Sequence, residues 1–238
     1  VRQMKEDIGR ENIIYTHLTY VPVLSGVNEQ KSKPTQQSVG LLKQKGIFPD
    51  IIIGRCEEYL TPEIKGKISN FCDVEPDAVI TALDVDDIYE VPLVFEKEGL
   101  PGILHKKLGI YSPPDLLRWK QLIENLRNPQ RELTIAMCGK YTKLEDSYAS
   151  IVESFNHCCA HFGCKIHLEW VETTNMKDVS NLDKVDGIVV PGGFGVRGTE
   201  GKIEAVRIAR ENNIPFLGLC LGLHMAVIEF ARNICDLA

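Results

Sequence analysis

No apolar run in this 238-residue sequence approaches the ~20 residues that a membrane-spanning helix needs, so no membrane partner is expected. Basic charge is also short: 27 Lys and Arg stand against 33 Asp and Glu, a formal net charge of -6. That balance argues against a broad electrostatic surface for nucleic acid but leaves room for local phosphate sites. Internal repeats and low-complexity tracts are missing. So is a secretory leader, because the first residues are charged and read as a helix. The chain starts at Val1 without an initiator methionine, which suggests a piece of a longer protein. Eight cysteines are many, yet they lack the regular spacing of a secreted disulfide scaffold, so a reducing, cytoplasmic setting is expected. What is present is ordinary for a globular protein: 44% hydrophobic, 25% charged, and enough length to bury the core of one large or two ordinary domains.

Two blocks of alternating strand and helix patterns follow along the chain. In residues 1–108, strands are expected at Ile13–Leu18, Asp50–Gly54 and Ala78–Thr81. Helices are expected from Pro34 to Gly46 and from Thr61 to Phe71. Residues 109–130 read as a connecting helix, opened by Ser112-Pro113-Pro114-Asp115 and stopped by Asn128-Pro129. In residues 131–238, strands are expected at Leu133–Met137, Lys165–Val171, Gly187–Val190 and Ile214–Leu219, with helices at Asp146–Phe162, Gly201–Asn212 and Leu221–Ile234. The fold class is α/β, two doubly wound domains with mainly parallel sheets, the second like the start of a flavodoxin-like sheet.

The most informative stretch is Pro215 to His224. An apolar run ends at Cys220, flanked by Gly218 and Gly222, and an apolar helical pattern follows. This is the layout of a nucleophile elbow, a tight strand-to-helix turn that lifts one side chain above the sheet edge. A buried structural cysteine is the plain alternative. The flanking glycines and the strand-before, helix-after context favour the nucleophile. Upstream, Pro191-Gly192-Gly193-Phe194-Gly195-Val196-Arg197-Gly198 contains G-x-G-x-x-G from Gly193, the dinucleotide fingerprint. It lies on a late strand, however, and Cys220 stands where the acidic partner would follow. Beside an elbow, the peptide N–H groups of such a loop can approach a developing oxyanion closely.

Two further clusters are open to bland readings. His157 and His161 share a helix face near Cys158, Cys159 and Cys164, but Gly163 is expected to end the helix and no fourth ligand is evident, so no metal site is assigned. Lys31-Ser32-Lys33-Pro34-Thr35-Gln36 places two cations before a helix start whose free N–H groups favour an anion. A phosphate-bearing ligand and a solvated lysine pair fit it equally well.

Together these residues resemble a known family. Gly218-x-Cys220-x-Gly222 with Pro191 to Gly195 is similar to a class I glutamine amidotransferase domain. Lys31 to Gln36, Ala78 to Tyr89 and Gly192 to Gly201 resemble the CTP synthase family, over essentially the whole chain. The resemblance implies a P-loop synthetase-like part and a flavodoxin-like amidotransferase part, both truncated: the C-terminal part of the synthetase over 1–108 and the N-terminal part of the amidotransferase over 131–238. It implies a ligase that phosphorylates UTP with ATP and Mg2+, displaces the phosphate with ammonia from glutamine to form CTP, and responds to GTP as allosteric activator and CTP as feedback inhibitor. A homotetramer is implied for the intact protein. Carried over by position, Cys220 would be the nucleophile, with Gly193 and Leu221 as oxyanion donors. Gly193, Leu221, Gly222, Leu223 and His224 would hold glutamine. Lys31, Ser32, Lys33, Pro34, Thr35, Gln36 and Lys67 would bind UTP or CTP; Arg55, Leu83, Asp84 and Val85 would touch ATP. Arg197, Gly198 and Glu200 would belong to a GTP-responsive lid.

The departures from the family are specific. Its P-loop and magnesium carboxylates are expected before Val1, and its histidine and glutamate partners for the nucleophile after Ala238. His224 stands where glutamine is usual. This chain alone is therefore expected to be inactive. A naturally truncated, non-catalytic relative that binds nucleotide or co-assembles as a regulator is the alternative.

Overall fold

The computed structural model describes every residue except 25, 27, 28, 111, 141–144, 176–178, 180, 181, 194 and 238, and the side chains of 145, 146 and 183. Phe194, in the glycine-rich loop, therefore lies outside the described residues. The chain divides into two compact units, Val1–Lys120 and Gln121–Ala238.

In the first unit, helix α1 (Met4–Ile8) leads to strand β1 (Thr16–Tyr20) and a short antiparallel pair, β2 (Val23–Leu24) and β3 (Glu29–Gln30). Helix α2 (Lys33–Gln44), strand β4 (Ile51–Cys56), helix α3 (Pro62–Cys72), strand β5 (Val79–Leu83) and helices α4 (Val91–Lys97) and α5 (Leu100–Leu108) follow. Strands β1, β4 and β5 lie parallel in that order, with Thr16 opposite Ile51 and Ile52 opposite Val79. Strand alternation sends Ile52 and Val79 to one face, where they pack with Val39 of α2 and with Ile64 and Ile68 of α3. Ile51 and Ile80 turn to the other face, against Phe95 of α4 and Leu100, Ile103 and Leu104 of α5. Helices thus cover both faces. Each of the fully buried isoleucines 51, 52 and 80 contributes about 1.5–3 kcal/mol.

The expected strand at Ile13–Leu18 is displaced toward the C-terminus. Asp50 takes up Tyr15, its carboxylate accepting from the Tyr15 N–H at 2.9 Å while its own N–H donates to the Tyr15 carbonyl at 2.7 Å, and the parallel ladder with β4 starts one residue later. Helices α4 and α5 were not expected. Both Pro92 and Pro101 fall in first turns, where a missing N–H removes no helical bond.

Helix α6 (Leu117–Arg127) crosses the division between the units, and the Asp115 carboxylate accepts from its Leu117 N–H at 3.1 Å, as the Ser112 to Asp115 cap signal implies. The second unit continues with strand β6 (Arg131–Gly139), helix α7 (Ala149–Phe162), strands β7 (Cys164–Glu172) and β8 (Gly187–Val190), helix α8 (Thr199–Glu211), strand β9 (Phe216–Gly218) and helix α9 (Leu221–Asn233). The sheet is parallel throughout, in the order β7-β6-β8-β9. Counted along the chain that is 2-1-3-4, the beginning of a flavodoxin-like order. Ala136, Cys138, Val171, Ile188 and Val190 form a core with Ala205, Ile208 and Ala209 of α8. Ile203 and Val206 of the same helix meet Met225 of α9. Between α8 and α9 the buried Glu229 carboxylate accepts from Arg210 at 2.8 Å and from Asn233 at 3.1 Å.

Candidate functional site

Strand β9 delivers Cys220 to the C-terminal edge of the second sheet, where ligands gather in open α/β folds. Cys220 is exposed and has φ 51° and ψ -106°, immediately before the first residue of α9. A side-chain-bearing residue held there costs about 1–3 kcal/mol and persists only when its surroundings over-determine it. The two flanking glycines do that. A Cβ on Gly222 would lie 2.0 Å from the Val190 carbonyl oxygen, and one on Gly218 only 2.7 Å from the Gly222 carbonyl carbon. Strand, turn and helix pack so closely that no larger residue fits at either position, and Cys220 is turned outward. This is the elbow expected from the sequence.

The glycine-rich loop after β8 borders the thiol. A Cβ on Gly192 would stand 3.5 Å from the Cys220 Cβ and 4.0 Å from its Sγ. In the first turn of α9, the Gly222 and Leu223 N–H groups donate to the Leu219 and Cys220 carbonyls at 2.9 and 3.1 Å. Leu221 holds the first helical position, whose N–H has no acceptor within the helix. Leu223 and His224 are exposed on the same turn. No histidine is hydrogen-bonded to the Cys220 thiol among the described residues. An exposed thiol at a helix start, bordered by the glycine-rich loop at Gly192, suits attack on a carbonyl carbon.

Arg197, Gly198 and Glu200 come together at the start of α8. Gly198 is its N-cap residue, the exposed Arg197 precedes it, and Glu200 in the first turn is paired with Arg232 of α9 at 3.1 Å.

In the first unit, the residues flagged for anions gather in two ion-paired sets. Lys31 pairs with Glu29 at 2.6 Å and Lys67 with Glu63 at 2.6 Å. The hydrogen bond from Lys31 and its charge, and more weakly the charge of Lys67, hold the Glu29 carboxyl below its ordinary range. Ser32 and Thr35 are buried instead of presented to solvent: Ser32 accepts from Gln36 at 3.0 Å and Thr35 meets Thr19 at 3.3 Å. Lys33 and Pro34 form the first turn of α2. The second set is Arg55 and Asp84, whose Nε and Oδ1 are 2.6 Å apart at the C-terminal ends of β4 and β5. Leu83 closes β5, and Val85 follows Asp84.

Sequence reading missed three residues at these places. Gln30 is buried and ties the loop after β4 to β3, donating to the Tyr59 carbonyl at 2.9 Å and accepting from the Thr61 N–H at 3.0 Å. Lys140, just past β6, and Lys202, buried in α8, both reach the glycine-rich loop. No hydropathy signal marks a lysine as buried. In the histidine–cysteine run, Gly163 ends α7 as expected, its N–H donating to the Cys159 carbonyl. Burial, followed by the nearby Cys164, pushes the Cys159 thiol up to about 11. Among the described residues no three His, Cys, Asp or Glu side chains are grouped to hold a metal ion. No described helix is long and apolar enough to cross a membrane.

Residues 143–238 match the family described as Glutamine amidotransferase class-I, and residues 1–110 match CTP synthase N-terminus. The CTP synthase of Pelotomaculum thermopropionicum is 50% identical over 98% of this chain and 44% of its own length. That of Borreliella burgdorferi is 50% identical over 100% of this chain and 45% of its own length, and that of Thermococcus gammatolerans 50% over 99% and 45%. A solved structure, the Trypanosoma brucei CTPS glutaminase domain with bound acivicin, is 38% identical, covering 43% of this chain and 41% of its own, with a TM-score of 0.41. Along essentially its whole length the chain is similar to CTP synthases, with a match to the synthetase N-terminus followed by one to the class I amidotransferase. It spans about half the length of the curated relatives it matches.

Proposed function

We propose that the protein built on this chain is a CTP synthase, an ATP-dependent ligase that aminates UTP to CTP with ammonia released from glutamine. Its boundaries are residues 1–108 as the C-terminal part of the synthetase domain, 109–130 as connector and 131–238 as the N-terminal part of the amidotransferase domain. The observation that carries this reading is Cys220, exposed at φ 51° between β9 and α9 with Gly192 alongside. In the proposed reaction the Cys220 thiolate attacks the side-chain amide carbon of glutamine. The oxygen takes up the C=O electron pair, and the N–H groups of Gly193 and Leu221 meet its charge. As the intermediate collapses, its NH2 group takes a proton from a general acid and leaves as ammonia, giving a thioester that water opens to glutamate and free thiol. Gly222, Leu223 and His224 line the glutamine side. Lys31 to Gln36 with Lys67 take the UTP phosphates, or those of CTP as inhibitor, and Arg55 and Leu83 to Val85 take ATP. Arg197, Gly198 and Glu200 carry the response to GTP. Magnesium would neutralise phosphate charge when bound, with its ligands, as the family resemblance implies, outside residues 1–238. The setting is cytoplasmic and the intact assembly a homotetramer.

Incubating the chain with 6-diazo-5-oxo-norleucine, an electrophilic glutamine analogue, and mapping the adducts by mass spectrometry tests the site. Labelling confined to Cys220 is expected; labelling spread over the eight thiols would refute an assembled elbow. Because the thiol has no described histidine partner, glutaminase and UTP-amination assays on this chain alone should give only background. Clear turnover would refute that assignment.

A further inference from the structure

Among the described residues Lys202 is the largest fully buried side chain, with 2% of its surface exposed, yet it carries an ammonium group. Lysine is almost never buried to this degree unless its charge has something to hold. It sits in the first turn and a half of α8, directly below the loop that follows β8. Its Nζ donates to the Pro191 carbonyl oxygen at 3.3 Å and lies 3.8 Å from where a Cβ on Gly193 would be. From beyond the end of β6, Lys140 approaches the same loop, its Cε 3.7 Å from the Gly193 Cβ position and its Nζ 3.8 Å from that of Gly195. The neighbouring Gly192 borders Cys220.

We propose that Lys202 is a positioning residue for glutamine hydrolysis: its buried ammonium clamps the Pro191 carbonyl, which fixes the Gly192 peptide and so sets the start of the loop that carries the Gly193 amide to the face of Cys220 where the oxyanion develops. The proposal rests on the amidotransferase reading above. Three features support it. Gly193 has φ 146° and no side chain to brace it, so its peptide orientation needs an external tether. The ammonium donates to the peptide that precedes the two glycines, where a fixed carbonyl sets the direction of the next N–H. Burial, then the charge of Lys140, push the Lys202 ammonium down from the ordinary lysine range, while Cys138 and Cys220 act in the opposite sense, so the group senses both cation and sulfur neighbours. Preorganised amides of this kind lose much of their effect when they are left free to reorient.

The test compares two reagents at one sulfur. 6-Diazo-5-oxo-norleucine presents a ketone oxygen where glutamine has its amide oxygen; iodoacetamide alkylates by displacement of iodide and develops no oxyanion. In Lys202→Met, which keeps the aliphatic bulk, the rate of Cys220 labelling by the analogue should fall about tenfold more than the rate with iodoacetamide. Equal falls with both reagents, or no fall, would overturn the positioning role, because loss of the cation or a change in thiol exposure affects both reactions alike. If Lys202→Met does not fold, Lys202→Gln supplies a polar group to the buried space and is read by the same ratio. If the unsubstituted chain shows no selective labelling at Cys220, the amidotransferase reading fails and the role of Lys202 fails with it. Selective labelling of the unsubstituted chain with an unchanged ratio in the variant sinks only the latter.

Discussion

The elbow around Cys220 and the ion-paired edge around Lys31, Lys67, Arg55 and Asp84 are built on opposite principles. At the elbow the geometry is backbone sterics: Gly218 and Gly222 are spaces other atoms already occupy, and Cys220 is turned outward because nothing else fits. At the edge, side chains hold one another, Lys31 on Glu29, Lys67 on Glu63 and Arg55 on Asp84, all largely exposed to water. Exposed ion pairs are weak and exchange partners readily, which on the proposed function would let these cations leave their carboxylates for phosphate. On the same proposal Cys220 would have to meet one carbon atom, and the stiffer solution suits that.

The contrast can be broken most severely at Gly222. Gly222→Ala sets a methyl group 2.0 Å from the Val190 oxygen and should cost ~3 kcal/mol in urea unfolding while removing selective labelling of Cys220. Survival of both would mean the elbow is not sterically defined. Next comes the double change Lys31→Ala with Lys67→Ala, which should weaken UTP binding about tenfold or more by calorimetric titration, steeply dependent on salt, with an unchanged unfolding midpoint. A loss of folding instead would show the lysines to be structural. Asp84→Asn frees Arg55 from its carboxylate and should alter ATP affinity by a few-fold, leaving Cys220 labelling unchanged. The smallest effect concerns acid. Arg210, and then Asn233, hold the Glu229 carboxyl below its ordinary value against the opposing cost of burial. A depressed carboxylate contributes stability that is present above the unfolded-state value of 4.5 and is lost as pH falls through the lower folded-state value. Glu229→Gln should flatten the fall of the urea midpoint in that acidic window only; an unchanged slope would mean the pair adds nothing.

Much of this could be read from the residues. The parallel α/β pattern, helix α9 from Leu221, the stop at Gly163 and the Asp115 cap each depend on neighbours within a few positions, where period and capping chemistry act. The elbow was legible for the same reason: Gly218, Cys220 and Gly222 lie within five residues. Other features were not. Helices α4 and α5 were not expected, and their prolines occupy first turns. The partner of Lys31, Glu29, is carried by a two-residue strand no periodicity could show. Ser32 and Thr35, flagged as ligand groups, are buried against their own unit.

Local order of residue types alone therefore determined the fold class, the turn at Cys220 and the likeness to CTP synthases. Only the packed chain decided which charges meet and which are hidden: Arg55 with Asp84, Glu229 under Arg210, and Lys202 beneath the loop after β8. The reason is range. Steric and capping rules act within a turn or two of the backbone, whereas burial and ion pairing join residues tens of positions apart, and their partners are chosen when strands take their order in the sheet.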